Sequence, residues 1–98
     1  MYGTVAWLKV KPGKMDEFVA YMKEFDTQHR PKGHIGEYVY QLDKDANQAL
    51  MVVLFQDKAA YHANANDPEM DKQFRRYREF LTDDPVWNDG EVVYTSVK

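Results

Sequence analysis

Residues 35–55, IGEYVYQLDKDANQALMVVLF, decide the fold. Ile35–Leu42 is β-branched and aromatic, Asp43–Asn47 supplies turn residues, and Ala49–Phe55 is a nearly unbroken apolar run. Two such runs around a polar turn read as a hairpin. A helical pattern stands on each side of it. Upstream, Met15, Phe18, Val19, Met22 and Phe25 fall on one stripe of a 3.6-residue period, which predicts an amphipathic helix from Lys14 to about Thr27. Downstream, Asp57 serves as N-cap of a short helix through about Ala65. Asp67-Pro68-Glu69 then marks a fresh helix start, and Met70, Phe74, Tyr77 and Leu81 share its stripe.

Further out, Gly3–Val10 (GTVAWLKV) reads as a first strand that Lys11-Pro12-Gly13 stops, because Pro cannot donate to a ladder. Gln28–His34 and Thr82–Gly90 read as loops, and Glu91–Val97 (EVVYTSV) as the last strand. Strand, helix, strand, strand, helix, strand is the split βαββαβ order. It predicts one α+β, ferredoxin-like domain over residues 1–98, with an antiparallel sheet and the helices on one face.

The strands do not alternate apolar with polar, as a sheet with one wet face would. Ala6, Leu8 and Val10 oppose Val5 and Trp7, and Leu50, Val52 and Leu54 oppose Met51, Val53 and Phe55. Helices cover one face only, so the other would expose a patch larger than soluble monomers tolerate. A homodimer closed through the sheet face, a dimeric α+β barrel, removes that patch.

Composition narrows the function. With 98 residues, 44% hydrophobic and 14% aromatic, the chain has material for a single core. A net charge of −3 gives no basic field for nucleic acid. No segment reaches the ~20 apolar residues of a membrane span, and a cytoplasmic protein without a membrane partner is expected. No cysteine is present, so disulfides, thiolate metal sites and cysteine nucleophiles are excluded. Glycine-rich phosphate loops, serine elbows and carboxylate clusters at metal spacing are missing as well, and neither metal nor cofactor is expected.

The stretch VAWLKVKPGKMDEFVAYM, followed by HIGEYVYQL and then ALMVVLFQDKAAYHA, resembles the antibiotic biosynthesis monooxygenase family of dimeric α+β barrels. The likeness spans nearly the whole chain. It implies a homodimer with a pocket in each subunit between sheet and helices. In the oxygenase members it implies oxidation of phenolic or quinol-like aromatics without flavin or metal. Phe55 stands where the family often carries Trp, and Asn64 where it often carries His. Those two departures motivate a rival reading, a non-catalytic barrel that binds a small hydrophobic ligand. The Asn, Trp and His set of the haem-degrading branch has no match here.

Oxygenation without a cofactor needs a substrate that, once deprotonated, supplies its own electrons to oxygen. The protein then contributes a base, a dry aromatic cavity and hydrogen-bond donors. His62, two residues before Asn64, is the candidate base, since imidazole titrates near neutrality. Asn64 and Arg78 are the candidate donors, and Trp7, Tyr38, Tyr40, Phe55 and Phe74 the candidate walls. His29 and His34, beside Pro31 and Gly33, read as solvated loop histidines. Trp87 could close the pocket or plug a dimer seam.

Overall fold

The computed structural model describes residues 1–97. Four strands, β1 (Tyr2–Lys9), β2 (His34–Leu42), β3 (Asp45–Phe55) and β4 (Asp89–Glu91), alternate with helices α1 (Met15–Gln28), α2 (Lys58–Ala65) and α3 (Pro68–Glu79). The sheet order is β2-β3-β1-β4, and every neighbouring pair is antiparallel. β1 and β2 therefore run the same way with α1 between them, and β3 and β4 likewise with α2 and α3. This is the expected α+β, ferredoxin-like split βαβ arrangement.

The helix restarts form as the caps predict. The Asp57 carboxylate accepts from the Ala60 amide at 2.8 Å, and Asp67 accepts from Glu69 at 2.9 Å with Pro68 in the first helical turn. Phe18 and Met22 of α1 are buried against Ala6, Leu8, Val10 and Met51, with Leu81 completing the cluster. Leu81 lies beyond the end of α3 and bridges to Val10, so it joins the core from the strand side rather than from a helical stripe.

Three boundaries differ from the expectation. β3 begins at Asp45, because Asp43 and Lys44 alone make the turn and the irregularity is absorbed at Gln41/Leu42. His34 belongs to β2 rather than to the loop, opposite Phe55, with a bulge before Gly36. The third difference is largest. The expected last strand, Glu91–Val97, pairs only at its first residue. The preceding segment takes its place: Trp7 and Val86 exchange backbone hydrogen bonds, the Val5 amide donates to the Asn88 carbonyl, and Asp89–Glu91 pair with Thr4–Tyr2. Antiparallel progression then carries Val92 to the Met1 carbonyl. Residues 93–97 run past β1 with no strand beside them, and Val93 is 93% exposed. Strand propensity in EVVYTSV is real but finds no partner strand beyond Val92 among the described residues.

Two glycines answer to geometry. A Cβ on Gly3 would sit 1.9 Å from the Val53 carbonyl oxygen, so β1 approaches β3 this closely only without a side chain. Gly33 has φ +83° and would place a Cβ 2.7 Å from that of Ala60. Its carbonyl accepts from the Gln56 amide at 2.8 Å, which pins the start of β2 beneath α2 and sets the position of His34.

Candidate functional site

The helix-facing side of the sheet is only half filled. Beyond the core cluster, Thr4, Met51, Val53 and Phe55 form the floor of a cavity of about 680 Å³ that α1, α2 and α3 wall in. Phe25, Phe74, Tyr77 and Trp87 supply aromatic sides. This is the size and lining of a small-molecule site, mostly apolar with a few polar groups.

Polar groups gather at two places. On α2, His62 and Asn64 line the cavity. The His62 ring packs 5.9 Å from that of Tyr2 and 5.4 Å from that of Tyr61, and the residue is exposed at the mouth. The Asn64 Oδ1 is buried with no hydrogen-bond partner. Tyr61 donates to the Asp89 carboxylate at 2.7 Å; burial first, then that carboxylate, raises its pKa above the ordinary tyrosine value. Tyr61 is therefore a hydrogen-bond donor near neutrality and not a base.

The second group lies where α1 ends and β2 begins. Asp26, His29, Arg30, His34 and Glu37 all line the cavity there. Glu37 is hydrogen-bonded to Asp26 and pushed up to about 8, first by burial, then by that bond and the Asp26 charge, with Arg30 opposing. Two carboxyls hydrogen-bonded to each other share a proton, and at neutral pH Glu37 carries it. Burial lowers the His34 pKa, so its imidazole is neutral. Burial, then the charges of Glu37 and Asp26, raise Tyr77 and keep it a phenol. His29 Nε2 and His34 Nδ1 are buried without a partner. The expectation that these histidines are solvated is corrected: the Gly33 turn and the β2 bulge draw them into the cavity wall.

The eight candidates read from sequence separate into three places. His62, Asn64, Phe55 and Phe74 come together around the cavity. Arg78 is turned elsewhere, its Nε donating to Asp84 at 2.7 Å and its Nη1 to the Leu81 carbonyl at 2.8 Å. Trp7, Tyr38 and Tyr40 lie on the opposite sheet face, paired across strands with Leu50 or Val52. They line no part of this cavity within one chain. The Asp26–Glu37 pair was missed because a glutamate in IGEYVYQL reads as the wet side of a strand. Its helix-facing parity, opposite Val53, was the available signal.

A four-stranded antiparallel sheet with three helices around a half-open cavity defines an α+β domain of the ferredoxin-like class. The model of the antibiotic biosynthesis monooxygenase family matches residues 1–76, and the chain belongs to that family. Among solved structures it is similar to a family protein from Caulobacter crescentus CB15, with a TM-score of 0.80 at 17% identity over 95% of this chain and 90% of that one. A conserved protein from Methanosarcina mazei Go1 gives 0.77 at 22% identity, over 91% and 89%. SnoaB, a cofactor-independent oxygenase from Streptomyces nogalater, gives 0.77 at 14% identity, over 96% and 94%. No curated protein matches the chain.

Proposed function

We propose that this protein is a cofactor-independent monooxygenase that oxidises a phenol- or quinol-type aromatic in the cavity between its sheet and helices, and that it works as a cytoplasmic homodimer. The observation that carries the reading is a roomy, aromatic-walled cavity in a chain of this family, with His62 and Asn64 on one wall. His62 takes a proton from the bound substrate. The resulting enolate or phenolate carbon adds dioxygen to give a hydroperoxide. Loss of water then leaves a new carbonyl, so both electron pairs come from substrate and no external reductant is consumed. Asn64 hydrogen-bonds the substrate oxygen, and Phe55 and Phe74 hold the rings. Tyr61 and Tyr77 stay protonated and add donors rather than bases.

Support for the dimer comes from the other sheet face. Val5, Trp7, Tyr38 and Tyr40 are exposed beside Leu50, Val52 and Leu54, and Tyr38 is 63% exposed. Val93, Tyr94 and Val97 of the C-terminal segment are exposed as well. A second copy is the occupant that removes it.

Oxygen uptake with a panel of anthrones, hydroquinones and catechols, without added metal or flavin, tests the activity. Turnover is expected, and His62→Ala should lower kcat/KM by at least ~10²-fold, about 2.7 kcal/mol of barrier, with the fold and dimer intact. Saturable binding without turnover would instead leave a hydrophobic-ligand barrel, a reading favoured by the packing of His62 on two tyrosines rather than on a hydrogen-bond partner. Sedimentation showing a stable monomer at micromolar concentration would remove the dimer.

A further inference from the structure

The Asp26–Glu37 pair sits apart from His62 and Asn64 in the chain, at the end of α1 and in β2, yet lines the same cavity. A carboxyl pair brought into a half-buried wall is a poor structural device, because each charge loses water and the two repel. Here one proton between them relieves the repulsion, and Arg30 offsets the remaining charge. Tyr77 faces the pair from α3. The neighbouring His29 Nε2 and His34 Nδ1 are buried without partners, and a buried unmet polar atom is destabilising by roughly 1–3 kcal/mol. Four polar residues that converge on one wall of a cavity with aromatic sides are what a ligand's own polar group would meet.

We propose that Asp26, Glu37, His29 and His34 form a second hydrogen-bonding pole of the cavity, which receives a neutral hydroxyl at the far end of an aromatic ligand. The chemistry selects the group. A hydroxyl can donate to a carboxyl oxygen of the pair and accept from an imidazole N–H, so it matches both kinds of group at this pole. A ligand carboxylate would bring a second anion against a pair that already carries one, and like charges in a desolvated site repel strongly. The ligand class is therefore a hydroxylated polycycle with one oxygen near Asn64 and another at this pole, and not an aromatic acid. This deepens the oxygenase reading and rests on it for the orientation of the reacting end, but binding alone tests it.

The experiment is anaerobic titration of the full chain with three probes of one ring system: 2,6-dihydroxynaphthalene, 6-hydroxy-2-naphthoic acid and naphthalene. The diol is expected to bind at least ~10-fold more tightly than the acid. In Glu37→Leu the diol should lose at least ~10-fold while naphthalene is unaffected, a pattern that damage to the fold would not give. Glu37→Gln keeps a neutral hydrogen-bonding group and should bind the diol within about threefold of wild type. Equal affinity for diol and acid, parallel losses for diol and naphthalene in Glu37→Leu, or no saturable binding of any probe would each overturn the inference. Oxygen turnover without this selectivity would leave the oxygenase reading standing and remove the pole. Selectivity without turnover would do the reverse.

Discussion

At one end of the sheet, Ala6, Leu8, Val10 and Met51 meet Phe18, Met22 and Leu81, and none of these is more than 6% exposed. At the other end the same face of the same strands, through Thr4, Val53, His34 and Glu37, looks into about 680 Å³ of open space. Strand parity is identical in the two halves, so the difference lies in what the helices bring. The first half of α1 contributes Phe18 and Met22, while its end contributes Phe25, Asp26 and then His29. The broken α2–α3 segment stands over the open end. One half of the layer is packed solid, and the other is left open.

The largest expected consequence is a contrast in stability. Phe18→Ala should be destabilising by about 3–5 kcal/mol in urea unfolding, as for a fully buried aromatic. Phe74→Ala, on the cavity wall and only half-buried, should stay near or below ~1.5 kcal/mol while weakening ligand binding. Equal losses at the two sites would erase the distinction between packed and open ends.

The turn that leads into β2 at the open end comes next. Gly33→Ala must take a side chain at φ +83° and move it off Ala60, which should be destabilising by roughly 1–3 kcal/mol and displace His34. Urea midpoints with the His34 imidazole followed by NMR check both effects. An Ala variant with wild-type stability would show that the turn does not depend on glycine.

A further contrast separates the halves by pH. Glu37 keeps its proton up to about 8 in the folded chain, whereas the unfolded chain releases it near 4.5. The stability it contributes is complete below about 4.5 and is lost as pH rises to about 8. The groups facing it are Asp26, Arg30 and Tyr77, with His34 nearby. His34, whose pKa is lowered, acts in the opposite sense below about 6.5. Comparison with Glu37→Gln isolates the glutamate. Wild type should lose stability relative to the Gln variant between pH 5 and 8.5, and parallel profiles would contradict the shared proton.

Much of this was legible in the sequence. The hairpin, the amphipathic α1 and both aspartate caps were written in local spacing, and the two-sided strands announced an apolar outer face. Two things were not. The last strand was misplaced because VVYTS has better strand propensity than the Val86–Gly90 segment; where β1 could offer partners is a tertiary fact. The second polar pole was invisible because Asp26, His29, His34 and Glu37 are each ordinary in their own element and meet only when Gly33 turns β2 under α2. For the same reason Trp7, Tyr38 and Tyr40 looked like cavity walls, since composition does not say which sheet face a strand aromatic occupies.

The two tryptophans settle which face takes the ligand, because Trp87 lines the cavity and Trp7 lies on the outer face. Trp7→Phe and Trp87→Phe each leave a single tryptophan, whose fluorescence can be followed during titration with 2,6-dihydroxynaphthalene. The account predicts a saturable change for Trp87 at one ligand per chain and none for Trp7. A saturable response from Trp7 with Trp87 silent would place the ligand on the outer sheet face and contradict it.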